Sequence, residues 1–373
     1  MRPTTTSLTS MLVIILFVLT SCGTQEQSPV TIGALFPFTG GLSVYGEVAQ
    51  RSAQIAVDEI NAQGGINGRP LVLDYQDHQC SPKTAVSVFQ QLRTTKNISI
   101  FTSVACSGTV IALAHMMESP PSLLLGTIVT TPAITNISPF VFRNWASDAH
   151  EADLLSREVI SKNYRRIGIL HEQTDYAAGL AKGLAQRVQG KGVELVMESY
   201  ASDAVDVHTQ LAKLKAADTD ALFLSPQTVT SADLVLKQLS ELEISADLLV
   251  NDNVIKMGEL LSRYSTTLEG AIGGDYIVEQ GPSAEEFKQR YVEAYGSDCP
   301  QMNVCLGVYD AIHLLAQGIS DSGEDPDAVR AFLDDVTYEG ISGRISFDEH
   351  NDRENTSYTL FIVKEGKAVP LIG

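Results

Sequence analysis

Acidic and histidine side chains that follow two predicted β-strands are the first candidates for chemistry. His171 and Glu172 come after one strand and could form an acid–base pair. Asp74, Asp77 and His78 follow another strand and could bind a metal ion. We favour hydrogen-bonded loops for both groups, because no nucleophile or further metal ligand accompanies them. The chain also lacks the GxSxG, HExxH, GxxxxGKS/T and GxGxxG patterns. We therefore expect no enzyme activity, no resident metal and no cofactor.

The cysteines suggest covalent cross-links in an oxidising compartment. The five cysteines are Cys22, Cys80, Cys106, Cys299 and Cys305. Cys80 and Cys106 each follow a predicted strand, so both could lie at one edge of a sheet. Cys299 and Cys305 are six residues apart and could close a small loop. Of the three pairings open to four cysteines, we prefer Cys80–Cys106 with Cys299–Cys305. A metal site is the alternative, although the sequence has no CxxC pair.

Strands and helices that alternate along the chain must position these residues. The first series has strands at 30–36, 71–75, 98–104 and 123–125, with helices between them. The pattern restarts after Asp148, with strands at 167–170, 193–198, 221–224 and 248–250. Later helices are predicted at 284–295 and 303–317, and later strands at 345–347 and 358–363. This alternation is typical of α/β folds with mainly parallel sheets, here two doubly wound, Rossmann-like lobes. Ligands of such sheets bind beyond the carboxyl ends of strands, which points to the cleft between the lobes.

The first 21 residues have the pattern of a secretory signal peptide. Residues 11–19 are all apolar and would span about 14 Å as a helix, too little for a hydrocarbon core of about 30 Å. Leu19-Thr20-Ser21-Cys22 resembles the bacterial lipobox, so we predict acylation of Cys22 and a polar tether over 22–29. The alternative is an ordinary signal peptide with an incidental cysteine. In either case the membrane would be reached through the N-terminus only.

The net charge of the chain limits the classes of partner that it can bind. The chain has 26 Lys and Arg against 45 Asp and Glu, a formal net charge of −19. Nucleic acid is therefore not expected as a partner, because phosphate binding needs a basic surface.

Three segments resemble one family closely. They are IGALFPFTG at 32–40, Tyr45-Gly46, and AVDEINAQGGINGR at 56–69. They are similar to the leucine/isoleucine/valine-type substrate-binding proteins of ABC transporters. The resemblance covers essentially the whole chain after the N-terminal segment and is densest over 30–132. It implies the type I periplasmic-binding fold, in which several strands form a hinge between two lobes, and the pair Cys80–Cys106 matches a disulfide of the family's amino-acid binders.

The resemblance also implies domain bounds and a location. We expect lobe 1 to hold residues 30–147 and 275–343, and lobe 2 to hold 148–274 and 344–373. The protein would be exported and held by lipid in the periplasm or at the outer face of the cell membrane. There it would capture an amino acid, branched-chain or otherwise hydrophobic or neutral, and deliver it to an ABC permease. A sensor of the same fold, or a binder of amides, urea or carboxylic acids, is the alternative.

An α-amino-acid site is implied at particular positions. Ser107 would meet the ligand carboxylate, and Thr130 would meet the carboxylate or the amine, with Ile128 offering backbone groups. Tyr176 and Asp252 would lie on the other lobe, where Asp252 holds the ammonium. Each position has a structural alternative: Ser107, Thr130 and Asp252 could cap helices or turns, and Tyr176 could be a surface aromatic residue.

The chain departs from the family pattern in several places. Gln227 stands about where the family has a second tyrosine, His78 where it has a second aspartate, and Asp252 is shorter than the usual glutamate. Tyr45 would form a wall of the side-chain pocket. Trp145 could do the same or pack in the hinge.

Overall fold

The computed structural model describes residues 28–371. The predicted signal peptide, Cys22 and most of the predicted tether lie outside the described residues. Among the residues described, none of the helices has the length and apolar character needed to cross a membrane.

The first sheet contains parallel strands in the order β2-β1-β3-β4-β5. Its strands are β1 (Val30–Phe36), β2 (Leu71–Asp77), β3 (Ile100–Val104), β4 (Leu123–Thr127) and β5 (Val141–Arg143). The helices between them are α1 (Ser43–Ala62), α2 (Pro82–Thr95) and α3 (Ser107–Ala114), with 3₁₀ turns at His115–Met117 and Pro132–Ile134. Ser81 and Pro82 start α2 in the usual way, because the Ser81 side chain accepts from the Thr84 N–H.

The second sheet repeats this order in β7-β6-β8-β9-β10 and adds β13 and β14 beyond β10. Its strands are β6 (Arg166–Glu172), β7 (Glu194–Tyr200), β8 (Ala221–Ser225), β9 (Asp247–Val250), β10 (Ile272–Tyr276), β13 (Tyr358–Lys364) and β14 (Lys367–Pro370). Its helices are α4 (Asp148–Ser161), α5 (Asp175–Val188), α6 (His208–Ala216), α7 (Val229–Glu241), α8 (Asp252–Lys256), α9 (Gly258–Arg263) and α10 (Ser265–Leu268). Strands β6 to β10 are parallel, whereas β13 is antiparallel to both of its neighbours.

The chain passes between the sheets three times. It leaves the first sheet after β5, returns after β10, and leaves again before β13. The returning segment contains α11 (Ala284–Tyr295), α12 (Met302–Ser322), α13 (Pro326–Asp335) and the hairpin of β11 (Tyr338–Gly340) and β12 (Gly343–Ile345). Helix α12 packs against α1 and β4, so this segment completes the first layer of helices.

Apolar side chains fill both faces of each sheet. On the first sheet, one cluster joins α1 and α12 to the strands, and a second lies under α2 and α3. The second sheet has two comparable clusters. Two doubly wound α/β units, as predicted from the alternation of elements, are thus confirmed.

Candidate functional site

A cavity of about 260 Å³ lies where the carboxyl ends of the two sheets face each other. Its size is close to the lower end of the range for small-molecule sites, which begins at about 300 Å³. The structure brings together on its lining all eight residues predicted to contact a ligand: Tyr45, Ser107, Ile128, Thr130, Trp145, Tyr176, Gln227 and Asp252. Segments that follow seven different strands contribute to it, as expected for facing doubly wound sheets.

Two loops of the first sheet present polar groups to the cavity. Ser107 is the first residue of α3, and its Oγ accepts a hydrogen bond from the Thr131 N–H at 3.4 Å. The first N–H groups of a helix lack partners within the helix and favour an anion. Ile128 has a φ of 51°, a left-handed conformation that a β-branched side chain rarely adopts. Such strain is concentrated at functional sites, where the surrounding structure holds it in place.

Arg143 holds the loop that carries Thr130. Its guanidinium group is fully buried and donates from Nη1 to the carbonyl oxygens of Thr130 and Thr131, both at 3.0 Å. The same guanidinium group binds Asp352 through Nε at 2.7 Å and Nη2 at 2.5 Å. Asp352 lies in the last segment between the sheets, so this ion pair ties the Thr130 loop to that segment. Its bidentate geometry makes the arginine hard to replace.

The second sheet contributes a hydrogen-bonded acid. Asp252 begins α8, and its Oδ1 accepts from the Tyr176 hydroxyl at 2.5 Å. The capping role considered for Asp252 belongs to Asn251, whose side chain accepts from the Val254 N–H. Tyr176 is only 6% exposed and is therefore not a surface aromatic residue. Burial, followed by the charge of Asp252, raises the pKa of Tyr176 well above its ordinary value, so the hydroxyl remains a donor.

A lysine that the sequence analysis did not identify lies beside this acid. Lys256 Nζ is 2.8 Å from Asp252 Oδ2 and 3.3 Å from Asp275 Oδ1. Burial opposes a charge on Lys256, but Asp252 and Asp275 more than offset this effect, so its pKa lies well above the ordinary value. Burial raises the pKa of Asp275, and Lys256 acts against that rise. The three side chains therefore form an ion triad on the cavity wall.

Two more carboxyl groups lie behind Asp252. Asp148 and Glu151 are fully buried at the start of α4, and one carboxylate oxygen from each of Asp148, Glu151 and Asp252 lies within 4.8 Å of the other two. Burial, and next the charge of Asp252, raises the pKa of Asp148 to about 8. Burial also raises the pKa of Glu151 well above its ordinary value. Asp148, Glu151 and Asp252 could together ligate a cation, but the raised pKa values of Asp148 and Glu151 favour the protonated forms of these two carboxyl groups over metal binding.

The walls of the cavity come from both sheets. Trp145 packs edge-on against Tyr276, with ring centroids 5.1 Å apart, and also lines the cavity. Trp145 thus borders the cavity and also packs against the end of β10. The Gln227 N–H donates to Glu172 Oε2 at 2.7 Å, so Glu172 positions the Gln227 loop. Tyr45 enters from α1 on the opposite side of the cleft.

The residues considered as an acid–base pair and as a metal site lie in hydrogen-bonded loops. His171 contacts the Glu172 carbonyl oxygen through Nδ1 at 2.9 Å, rather than the Glu172 carboxylate. Asp77 accepts from the N–H groups of Phe38 and Gln79, both at 2.9 Å. His78 Nδ1 accepts from the Cys80 N–H at 3.1 Å. These contacts are those of the hydrogen-bonded loops that the sequence analysis favours for both groups.

The preferred cysteine pairing is confirmed. Disulfide bonds join Cys80 to Cys106 and Cys299 to Cys305. The first links the loops after β2 and β3 next to Ser107. The second links the segment before α12 to the first turn of that helix, and Pro300 within this loop lines the cavity. Both cross-links therefore stabilise loops of the site.

Comparison with known proteins decides the family. Residues 29–368 match the family model of the periplasmic binding proteins. The chain belongs to this family. The resemblance inferred from 32–69 is confirmed, and the family is one of binding proteins rather than enzymes.

Similar proteins have been characterised or solved. A Leu/Ile/Val/Thr/Ala-binding protein of Pseudomonas aeruginosa is 25% identical over 338 residues, covering 89% of each chain. A leucine-binding protein from Thermotoga maritima has a similar fold, with a TM-score of 0.79, 21% identity and coverage of 92% of this chain and 98% of its own. A benzoate complex of an ABC-transporter solute-binding protein from R. palustris has a TM-score of 0.75 at 16% identity, with 92% and 95% covered.

Sequence reasoning missed three charged residues of the site. Lys256 lies four residues after Asp252, a spacing that places both on one face of a helix. That spacing could have identified Lys256 from the sequence. The sequence gives less indication of Asp275 and Arg143, since each is a single charged residue in a buried strand.

Proposed function

We propose that this periplasmic binding protein captures a neutral α-amino acid, branched-chain or otherwise hydrophobic, and presents it to an ABC permease. The observation that supports this most is the polarity of the cavity. Hydroxyl groups and a helix N-terminus lie on one side, and a hydrogen-bonded carboxylate lies on the other. A zwitterion places its carboxylate and its ammonium at these two ends.

Each predicted residue has a part in this proposal. Ser107 and Thr130 bind the ligand carboxylate, with Ile128 supplying backbone groups. Asp252, held by Tyr176, accepts the ammonium. The side chain of the ligand rests between Tyr45 and Trp145, and Gln227 closes the polar edge of the pocket.

Ligand capture is coupled to closure of two lobes, for which we propose the bounds 30–147 with 275–343, and 148–274 with 344–373. The anion donors and the carboxylate stand on opposite lobes. A ligand that contacts both therefore favours the closed state over the open one, and differential affinity of this kind is what drives a hinge.

Export follows from the family, and two disulfides suit an oxidising compartment. We further propose that Cys22 carries a lipid that anchors the protein at the membrane. Mass spectrometry of the membrane fraction tests this, because Cys22→Ala should abolish both the lipid mass and membrane retention. Retention of the Cys22→Ala protein would contradict the anchor.

A carboxylic acid is the second candidate ligand. It is favoured by the ion pair with Lys256, which already offsets the charge of Asp252. It also fits the benzoate complex of a protein with a similar fold.

Thermal unfolding against a ligand panel separates the two candidates. The panel contains leucine, isoleucine, valine, benzoate, isovalerate and urea. A ligand that binds only the native state stabilises it by about 2.7 kcal/mol at a hundredfold excess over Kd. We expect stabilisation by the amino acids, whereas stabilisation by the acids alone would replace the proposed ligand class.

A further inference from the structure

The charges on the cavity wall are unequal. Within the described part of the chain, two carboxylates line the cavity, those of Asp252 and Asp275. The one cationic side chain on the same lining is Lys256. The wall therefore carries one net negative charge when all three are ionised. That charge matches one ligand ammonium, because the ligand carboxylate is bound at the opposite end.

The position of Lys256 makes it the residue that sets this balance. It ends the short helix α8, one helical turn after Asp252, and its Nζ lies between Asp252 Oδ2 at 2.8 Å and Asp275 Oδ1 at 3.3 Å. Its side chain is 36% exposed, so it borders the cavity rather than the protein core. Asp275 is 18% exposed on the adjoining strand β10. Within the described residues Lys256 is the cation that pairs with Asp275.

The carboxyl groups behind this wall do not change its net charge. Asp148 and Glu151 are fully buried, and burial raises the pKa of each carboxyl group. The wall itself thus distinguishes ligands by their number of positive charges. An isolated second ammonium on a ligand side chain would meet the like charge of Lys256, and this repulsion lowers the affinity for such ligands.

We propose that Lys256 is a specificity-determining residue that restricts the cavity to amino acids with a single ammonium group. The proposal rests on the proposed function and extends it. Without the lysine charge, Asp275 lies unpaired beside the ligand and becomes the partner of a second ammonium. The affinity for basic amino acids then rises relative to the affinity for their neutral isosteres. Specificity is set here by a repulsive element as well as by an attractive one.

Isothermal titration calorimetry with isosteric ligand pairs tests this. Norvaline is paired with 2,4-diaminobutyrate and norleucine with ornithine, so that each pair differs by a methyl group against an ammonium. The measured quantity is the ratio of the two dissociation constants within a pair. We expect wild type to prefer the neutral member, and K256M to shift the ratio towards the basic member by about tenfold or more.

Three variants separate charge from shape. K256R keeps the charge and should keep the wild-type ratio. The double variant K256M/D275N removes both partners and should return the ratio towards that of wild type. Lys213→Met removes a lysine that pairs with Glu198 outside the cavity, and it should change nothing. Circular dichroism and the thermal midpoint establish that each variant is folded, and K256Q replaces K256M if the latter is not.

The outcomes distinguish the two levels of the argument. An unchanged ratio in K256M or K256Q, with amino-acid binding intact, overturns the role of Lys256 and leaves the proposed function standing. A shifted ratio that K256M/D275N fails to reverse overturns the part assigned to Asp275. If wild type binds no member of either pair, the amino-acid assignment and this inference fall together.

Discussion

Replacing Asp252 by asparagine isolates the ammonium-binding charge from the shape of the site. Asparagine keeps the size of the side chain and an oxygen that can accept from the Tyr176 hydroxyl, now at 2.5 Å. Asn251 continues to cap α8. The substitution also removes a negative charge beside the buried carboxyl groups of Asp148 and Glu151. Lys256 loses one of its two partners but keeps Asp275, so we expect the ligand-free protein to remain folded.

The magnitude follows from the surroundings of the carboxylate. Two unit charges about 4 Å apart attract by about 4 kcal/mol at an effective dielectric constant of about 20. Lys256, 2.8 Å away, already offsets part of the charge of Asp252, and Asp275 remains nearby. The expected loss is therefore that of a hydrogen bond to a charged group, about 1.5–3 kcal/mol. This corresponds to a rise in Kd of about 10- to 150-fold.

Calorimetric titration of two ligands measures this loss directly. The first ligand is the best-binding amino acid, and the second is its analogue without the amino group. Asp252→Asn should weaken binding of the amino acid, and binding of the analogue should stay unchanged or become tighter. Asp233→Asn is the matched control, because this half-exposed aspartate pairs with Arg263 away from the cavity. An unchanged Kd for the amino acid in Asp252→Asn would refute the assignment of the ammonium site.

Two further predictions concern stability. The pKa of Asp148 is about 8 in the folded protein and about 3.9 in an unfolded chain, so between these pH values the folded state holds a proton that the unfolded state lacks. Its contribution to the free energy of unfolding therefore falls as pH rises from about 4 to about 8, by at most about 1.4 kcal/mol per unit, and Asp148→Asn should remove this slope. Urea unfolding at pH 5, 6, 7 and 8 checks it, and parallel curves for the two proteins would contradict it. Replacing Cys80 and Cys106 by serine opens a loop of 26 residues and should cost about 3.5 kcal/mol, against about 2 kcal/mol for the six-residue loop of the other disulfide. Equal urea midpoints for wild type and the Cys80/Cys106 variant would show that the first bridge contributes nothing.

Local patterns were sufficient to predict most of the parallel sheets. Strands such as β1 and β8 are continuous apolar runs, and helices such as α11 keep one apolar face, so periodicity identifies them. The cavity residues could also be found, because each follows a strand end where doubly wound sheets place their ligands. Family resemblance then selected which residue of each loop to name.

Strand β10 shows why other elements were missed. It contains Gly273 and Gly274, which are poor strand formers, so the sequence analysis found no strand at 272–276. Tertiary packing explains why glycine stands at these two positions. A Cβ on Gly273 would lie 2.8 Å from the Val250 carbonyl oxygen, and one on Gly274 would lie 2.9 Å from Glu151 Cγ. Close approach of this kind depends on neighbours that are distant in sequence.

The ends of strands and the ion pairs between distant residues also could not be predicted from the local sequence. The strand expected at 345–347 is β12, which ends at Ile345 because it pairs with the short strand β11. The three-residue strand β5 and the helix α13 were not predicted. Arg143 and Asp352 are 209 residues apart in the sequence, so nothing local relates them.

The central claim is that the cavity binds both charged ends of one amino acid. Calorimetric titration of wild-type protein with leucine, leucinamide and 4-methylpentanoate tests it most directly, because the last two each lack one charged end. The account predicts one-to-one binding of leucine, and a loss of at least about tenfold in affinity for either analogue, since each forgoes charge-assisted hydrogen bonds. Binding of 4-methylpentanoate as tightly as leucine would contradict it.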